Sequence, residues 1–404
     1  MVTAMNEGGL TPHTRRLSRF VLLPELKLTA WKKASIAQSV VQAKKVSDFE
    51  VCPKCANPSS VVYDHRIVKL KDAPVRGTSI VLRVKKRRFF CKTCKKPFTE
   101  PLRGVGKKHR TTQRYRKEVL WACENFSDLD RVRRAYRCSS GFIYKCLYEQ
   151  LELRRKKNIN YPWPTSIGID EHFFSRRKGY PEFATVFTDN VNKRLREVAY
   201  GKIIGDLKMQ LENIPGRENV KEVALDLADS YKTFAREFFP NATLVADKFH
   251  VIRLLVPAIN KRRVGITGDK RFNPLRRLLL TDQRKLRYYE RDALTRWLID
   301  HPELYEVYNF NQAIYRFYRI KGEEKAARIL TRITDEMAKS TLPEIKRLRK
   351  TLVKWRKEIL NYFKTRLTNA RTEGFNNVAK LVQKRAYGYR SFENYRLRLL
   401  NACC

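Results

Sequence analysis

The sequence predicts a multidomain α+β protein, and three observations support this fold class. The chain has 404 residues, which is enough for two to four domains. Two Cys-x-x-Cys pairs stand near the N-terminus, strands and helices alternate in the centre, and a long helical stretch follows. Hydrophobic residues make up 43% of the chain, so it can bury hydrophobic cores. A disordered tail is therefore excluded.

The balance of charge predicts a polyanionic partner. Lys and Arg number 86 against 41 Asp and Glu, which gives a formal net charge of +45. A passive basic protein, such as a ribosomal one, is the rival interpretation. No apolar run approaches the roughly 20 residues that a membrane-spanning helix needs, and no signal-peptide pattern follows Met1. We therefore expect a cytoplasmic protein with no membrane partner.

Four of the nine cysteines have the spacing of a metal site: Cys52, Cys55, Cys91 and Cys94. A gap of two residues lets both thiolates of a tight turn point at one ion, and two such knuckles complete a tetrahedral Cys₄ zinc site. Disulfides are disfavoured in a reducing compartment, and a redox motif needs only one pair. His65 is a spare candidate ligand, but the four sulfurs already fill the coordination shell. It is expected to be a surface histidine.

The residues between the knuckles alternate as in a β-strand. Ile80, Leu82 and Val84 are predicted to be buried, and a turn is predicted at residues 74–77. Two knuckles carried on hairpins make a zinc ribbon, which gains folding energy from the metal because its own core is thin. This structural ribbon is predicted to span residues 46–105, after an N-terminal segment of residues 1–45.

The pattern becomes helical in residues 106–157. Helices are predicted at 112–123, at 129–137, and from an N-cap at Ser139 or Ser140 through 151. Three short helices with a tight turn are typical of a helix-turn-helix, although any small helical bundle has this pattern. The candidate DNA-contacting residues of this unit are Arg131, Arg133, Arg134, Ser140, Tyr144 and Lys145.

Strands and helices alternate in residues 165–251. Strands are predicted at 166–170, 182–188, 196–204, 223–226 and 243–246, with helices at 207–213 and 230–238. The resulting order, β-β-β-α-β-α-β, is that of the ribonuclease-H-like fold. In this fold the first and fourth strands lie side by side, so carboxylates at their C-terminal ends come together.

Asp170 and Asp226 each follow an apolar strand. Asp is a poor strand former and is costly to bury, so this placement needs a reason. A divalent cation is one such reason, because Mg²⁺ prefers hard oxygen ligands and leaves positions for water and phosphate. Each Asp taken singly could instead be a strand-end turn residue or a helix cap.

Seven short motifs carry a resemblance to a known family. The sequence resembles the DDE transposases of bacterial insertion sequences, in particular the ISL3 family, over nearly the whole chain. The matching pieces are RRFFC at 87–91, PFTE at 97–100, GIDE at 168–171, LD at 225–226 followed by Tyr231, FPNA at 239–242, DKFH at 247–250 and TEGFNN at 372–377.

The resemblance implies a catalytic trio of Asp170, Asp226 and Glu373 that holds Mg²⁺ or Mn²⁺. It also implies a helical insertion at 252–368, with a role in DNA binding or dimer contact, before a C-terminal part of the core at 369–404. Because Glu171 neighbours Asp170 on a strand, the two side chains point to opposite faces and only one can meet the metal. Asp247 and His250 form a separate family motif with a possible accessory role, although a packed histidine is equally plausible.

The reaction implied is cleavage at a transposon end followed by joining of the freed 3′-hydroxyl to target DNA. The ribbon and the helix-turn-helix would read the terminal inverted repeats, on a homodimer or larger assembly associated with the bacterial nucleoid. Two rivals are a DNA-binding regulator derived from a transposase and a structure-selective nuclease of the same fold. The regulator would bind DNA without cutting it, and the nuclease would cut DNA without joining it.

Overall fold

The computed structural model describes residue 23 and residues 25–126, 128–269 and 274–403. Part of the predicted N-terminal segment, residues 1–22 and 24, lies outside the described residues. The chain divides into two units, Met1–Gln150 and Leu151–Cys404, and each is described by itself.

A five-stranded sheet organises the first unit, with the order β1-β2-β6-β5 and with β7 pairing β6. The central strand β6 therefore pairs in parallel with β2 and antiparallel with β5. Residues 26–45, which precede the predicted ribbon, supply two strands of the ribbon's own sheet. The strands are β1 (Leu26–Ser35), β2 (Gln38–Lys45), β3 (Glu50–Val51), β4 (Pro58–Ser59), β5 (Val62–Val75), β6 (Thr78–Cys91) and β7 (Lys96–Thr99).

The long β5–β6 hairpin confirms the predicted turn and the predicted alternation. Arg76 and Gly77 both have positive φ, 47° and 77°, as a tight two-residue hairpin turn requires. Ile80, Leu82 and Val84 are at most 1% exposed. They form a small apolar core with residues such as Val41 and Leu70. The sheet therefore has a core of its own beside the four cysteines.

Three helices complete the first unit, close to their predicted positions: α1 (Gln113–Asn125), α2 (Leu129–Tyr136) and α3 (Ser140–Ile159). Thr112 caps α1 and Asp128 caps α2, each accepting a hydrogen bond from a backbone N–H three residues on. Ser139 caps α3 in the same way, because its Oγ accepts from the N–H of Phe142 at 3.2 Å. The predicted end of the third helix at 151 was wrong, since α3 continues to Ile159.

The second unit contains a five-stranded sheet in the order β10-β9-β8-β11-β12. Its first three strands are antiparallel neighbours, whereas β11 pairs in parallel with β8 and with β12. The predicted adjacency of the first and fourth strands is therefore confirmed. The strands are β8 (Ser166–Arg177), β9 (Tyr180–Asp189), β10 (Arg194–Tyr200), β11 (Glu222–Leu225) and β12 (Thr243–Ala246).

Two predicted boundaries in this sheet were wrong. β8 does not end at Asp170 but continues to Arg177, because β9 pairs with it as far as Arg177 opposite Tyr180. Its parallel partner β11 pairs with it only as far as Gly168. Asp170 thus lies just beyond the end of β11 although it is inside β8. The third strand ends at Tyr200, and helix α4 (Ile204–Leu211) starts three residues earlier than predicted.

Helices cover both faces of this sheet. On one face, Ile167 and Ile169 of β8 join a large core that continues into the helices of residues 252–368. On the other face, Phe174 and Val186 pack with Ala379 and Tyr395. The remaining helices are α5 (Asp229–Phe238), α6 (Lys248–Ile252), α7 (Val256–Thr267), α8 (Pro274–Leu280), α9 (Tyr288–Ile299), α10 (Pro302–Phe317), α11 (Glu323–Ala338), α12 (Pro343–Lys354), α13 (Arg356–Thr365), α14 (Ala370–Arg385) and α15 (Phe392–Ala402).

The predicted helical character of residues 252–368 is confirmed, and Trp355 is a core residue there, only 2% exposed. Among the described residues, no helix combines the length and the apolar character that crossing a membrane would require.

Candidate active site and zinc site

The four predicted zinc ligands lie together in the first unit. The Sγ atoms of Cys55 and Cys91 are 3.5 Å apart, those of Cys52 and Cys94 are 4.0 Å apart, and all four fall within 4.8 Å of one another. The first pair lies between β3 and β4, while Cys91 is the last residue of β6 and Cys94 lies in the turn before β7, so each knuckle is carried on a hairpin. His65 is exposed on β5, outside this cluster.

The electrostatics of the four sulfurs fit a bound cation. The backbone N–H groups of Cys55 and Lys54 lower the pKa of the Cys52 thiol to about 7, which favours the thiolate that binds metal. A hydrogen bond with Cys55 raises the pKa of Cys94 to about 12. Four sulfurs this close cannot all carry charge without a cation. We conclude that the cluster is a structural zinc site.

A second cluster of metal-ligating groups lies at the edge of the second unit's sheet. Ligand atoms of Asp170, Asp226 and His250 fall within 4.8 Å of one another. Asp170 projects from β8, Asp226 follows β11 directly, and His250 lies in the short helix after β12. The parallel strands therefore deliver all three side chains to one edge of the sheet.

The two carboxylates of this cluster have raised pKa values. Burial, with the neighbouring charges of Asp226 and Asp247, raises the pKa of Asp170 to about 6. Burial also raises the pKa of Asp226. The pKa of His250 is raised as well, because its hydrogen bond to Asp247 favours the protonated form. The site is thus short of positive charge, as expected for a site that binds a cation.

Asp247 positions the histidine and does not join the cluster. Its Oδ2 lies 3.0 Å from Nδ1 of His250, and its Oδ1 accepts the N–H of Asn369 at 3.0 Å. A ring nitrogen facing a carboxylate carries the hydrogen, so Nδ1 donates and Nε2 faces away from Asp247. Asp229, which also follows β11 and is an alternative to Asp226 by its position in the sequence, lies on α5 and pairs with Lys354 at the surface.

The opposite orientation expected for Asp170 and Glu171 is observed. Glu171 accepts a hydrogen bond from Tyr231 at 3.1 Å. On the other face, the carboxylate of Asp170 accepts a hydrogen bond from Nδ2 of Asn376 at 2.9 Å. A one-residue step along a strand reverses the face, which is why the two acids have different surroundings.

Glu373 is not within the three-residue cluster. Its half-exposed carboxylate lies 3.9 Å from Nη1 of Arg253. It is, however, three residues before Asn376 on α14, and residues three apart on a helix are neighbours on one face. The hydrogen bond from Asn376 to Asp170 therefore brings the face that carries Glu373 close to the site.

Gly168 allows α14 to approach the sheet this closely. A Cβ at this position would overlap Oγ1 of Thr372 and Oδ1 of Asn369, so any other residue would force these side chains, or the helix that carries them, to shift. The side chain of Asn369 also donates to the carbonyl of Ile169 at 2.9 Å. Sequence reasoning missed Asn369 and Asn376, although Asn376 lies in the TEGFNN motif and is one helical turn from Glu373.

The candidate DNA-contacting residues of the first unit are all exposed. On α2, Arg133 and Arg134 pair with Asp130 of the same helix, and Arg131 stacks on Phe126. Ser140, Tyr144 and Lys145 lie in the first two turns of α3.

Comparisons with known proteins identify the class of enzyme. A family model described as transposase, of the ISL3-type DDE group, matches residues 167–399. A second model, described as the zinc-finger of the transposases of IS204, IS1001, IS1096 and IS1165, matches residues 48–94. The chain is a DDE-type DNA transposase.

A curated relative matches over most of its length. The transposase for insertion sequence element IS1001 of Bordetella parapertussis is 24% identical over 374 residues, which cover 89% of this chain and 90% of that protein. The chain belongs to the ISL3 family of DDE transposases.

Proposed function

We propose that this transposase binds the terminal inverted repeats of its transposon and cleaves and joins DNA with divalent metal held at Asp170, Asp226 and Glu373. The observation that carries the proposal is the cluster of Asp170, Asp226 and His250 at the sheet edge. The strand order 3-2-1-4-5, with three antiparallel strands followed by two parallel ones, supports assigning the second unit to the ribonuclease-H-like fold.

The donor set fits a hard divalent cation such as Mg²⁺ or Mn²⁺. Two carboxylates with raised pKa values repel one another and are costly to ionise together without a cation. When bound, Mg²⁺ would supply a Lewis acid that lowers the pKa of a water molecule and spreads the negative charge developing at phosphorus.

The chain's own groups would orient the site. Asn376 and the N–H of Glu171 hold the carboxylate of Asp170 through hydrogen bonds of 2.9 and 2.8 Å. His250, anchored on Asp247, would contact the scissile phosphate or orient a carboxylate through Nε2. Glu373 joins the two aspartates when its side chain turns away from Arg253, for which a DNA phosphate is an alternative partner.

DNA recognition is assigned to the first unit. The zinc ribbon and the helices α1 to α3 would bind the transposon ends, with the last two helices acting as a helix-turn-helix. Their contact residues would be Arg131, Arg133, Arg134, Ser140, Tyr144 and Lys145, which are exposed. Two ends must be brought together before joining, so we assign the active form to a homodimer or a larger assembly.

A strand-transfer assay with the element's own ends tests the proposal. Purified protein, a pre-cleaved transposon end and plasmid DNA are expected to give joined product only when Mg²⁺ or Mn²⁺ is present. A regulator would bind the end without cutting or joining it, and a structure-selective nuclease would cut without joining. Either of those two results would contradict the proposal.

Metal binding is expected to stabilise the protein in a pH-dependent way. Metal needs ionised carboxylates, and the pKa of Asp170 is about 6, so protons compete with the metal below that pH. At pH 8, Mg²⁺ at about one hundred times its Kd should raise the Tm of the second unit by about 5 °C. At pH 5, where protonation of Asp170 weakens metal binding about tenfold, the increase should fall to about half or less.

The sign of this effect follows from the raised pKa. In the metal-free protein, ionised Asp170 destabilises the folded state above pH 6, and a bound cation removes this cost. Differential scanning fluorimetry at the two pH values measures the shift. The Asp170→Asn/Asp226→Asn double variant should show no increase at either pH, whereas Asp229→Asn should behave like the unmodified protein. An equal increase at both pH values would contradict metal binding at this site.

A further inference from the structure

Two of the three described tyrosines in the second unit that are more than three-quarters exposed lie at neighbouring tips, and the third is Tyr288 on α9. Tyr180 in the β8–β9 hairpin is 77% exposed, and Tyr387, just after α14, is 97% exposed. Tyrosine normally buries most of its ring in a core or an interface. Neither ring contributes to the packed cores of this unit. Packing within the second unit therefore does not explain these side chains.

Exposed cations surround both tyrosines. All residues from 176 to 180 at the tip of the hairpin are exposed, and so are residues 384–388 at the end of α14. We call the following set the tyrosine platform: Arg176, Lys178, Tyr180, Lys384, Arg385 and Tyr387. Cations interleaved with exposed aromatic rings suit a ligand that has both phosphates and flat bases.

The two elements that carry the platform run side by side from the catalytic site. Asn376 of α14 contacts Asp170 of β8, and Gln383 donates to the carbonyls of Phe173 and Phe174 at 3.2 and 3.1 Å. Seven helical residues rise about 10 Å, which matches the rise of about three strand residues. The helix and the strand therefore advance together, and both tips lie beyond Gln383.

The distance from the site to the platform corresponds to a short length of DNA. Tyr180 is opposite Arg177, seven residues along β8 from Asp170, which is about 23 Å of strand. With an axial rise of about 3.4 Å per nucleotide in B-form DNA, this distance spans about six or seven stacked nucleotides, and fewer if the strand is extended.

The cap at the C-terminal end of α14 does not explain why a tyrosine occupies position 387. The N–H of Gly388 bonds to the carbonyl of Gln383 at 3.0 Å, which closes α14 in a Schellman motif with Tyr387 at its left-handed position. The φ of Tyr387 is 52°. Glycine adopts this conformation without strain, whereas tyrosine is strained in it and here packs against nothing in return.

We propose that the tyrosine platform binds an unpaired stretch of the DNA strand that leads to the scissile phosphate. Tyr180 and Tyr387 stack on bases, and the four cations neutralise backbone phosphates. In duplex DNA each base is already stacked between its neighbours, so exposed rings gain contact area only with bases that have left the stack. The platform thus holds a melted strand as it enters or leaves the catalytic site. This inference rests on the proposed function, because it assumes that a DNA end occupies the Asp170 site.

Binding measurements with two matched DNA ends test this proposal. One transposon end is fully paired, and the other has six unpaired nucleotides beside the cleavage position, with 2-aminopurine at successive positions among them. The Tyr180→Ala/Tyr387→Ala variant should bind the unpaired end at least about tenfold more weakly than the unmodified protein does. The paired end should lose less than about twofold. The Tyr180→Phe/Tyr387→Phe variant should bind like the unmodified protein, because phenylalanine retains the stacking face.

Each other outcome is decisive. Equal losses on both DNA ends would make the platform a duplex-binding surface, and no loss on either would leave it without a DNA role; both results overturn the proposal. A phenylalanine variant as weak as the alanine variant would exclude stacking. Binding is measured in the Asp170→Asn background, without cleavage. Failure of strand transfer by the unmodified protein would therefore count against the proposed function alone.

Discussion

Asp170→Asn, Asp226→Asn and Glu373→Gln are each expected to reduce strand transfer by at least about a thousandfold while DNA binding changes less than about threefold. The amide side chains keep the size of the acids but remove the charge that holds the metal. Binding could tighten slightly, because each substitution removes a carboxylate that repels phosphate. The measurement is Mg²⁺-dependent joining of a pre-cleaved end to plasmid DNA, with binding followed at fixed salt.

Two other acids provide matched controls. Asp229 is paired with Lys354 at the surface, and Glu171 faces Tyr231 on the opposite side of β8 from Asp170. Asp229→Asn and Glu171→Gln should therefore retain at least about a third of the activity. If all five variants keep their activity, these acids are turn and surface residues and the proposed mechanism is wrong. Retained activity in one of the first three variants removes that residue from the site.

Glu373 is the most informative of the three, because it lies outside the cluster of Asp170, Asp226 and His250. If Glu373 joins the site only with DNA and metal bound, Glu373→Gln should leave Mg²⁺ stabilisation of the DNA-free protein largely intact. Asp170→Asn should abolish that stabilisation. The two variants would then share their loss of strand transfer and differ in metal binding without DNA.

Local patterns in the sequence were enough to predict several elements. Alternation over residues 80–84 identified a half-buried strand, and the cysteine spacing identified the zinc site. The apolar strands before Asp170 and Asp226 predicted the parallel pair, since both residues end a buried run. Each of these signals depends on side chains within a few positions of one another.

Contacts between distant parts of the chain could not be predicted in the same way. Nothing local indicates that β2 pairs in parallel with β6 or that Asn376 reaches Asp170, which is 206 residues away. The predicted β8 ended at the carboxylate of Asp170, whereas the strand extends to Arg177. The alternation does continue, with His172 and Phe174 buried and Phe173 between them exposed. The hairpin turn at Lys178 and Gly179, where both residues have positive φ, could also have been predicted from the glycine.

Loss of a zinc ligand should have the other large effect. Cys52→Ser or Cys91→Ser is expected to lower bound zinc from near one equivalent to below about a tenth, because a serine hydroxyl does not replace a thiolate ligand. The hairpin that carries the first knuckle has only two residues in each strand, β3 and β4. Such a hairpin is not stable by itself, so the end of the ribbon around the cysteines should unfold.

The rest of the protein should remain folded after this loss. The β5–β6 hairpin is held by its own apolar core around Leu70 and Leu82, and the second unit has separate cores. Specific affinity for the transposon end should therefore fall at least about tenfold, while affinity for random duplex changes little.

Cys138→Ser changes a thiol outside the cluster, so this variant is the control and should keep its zinc. Metal analysis and competition binding measure both effects. Zinc-free protein that still recognises its end, or recognition that survives chelation, would show that the ribbon's metal is not needed to read DNA.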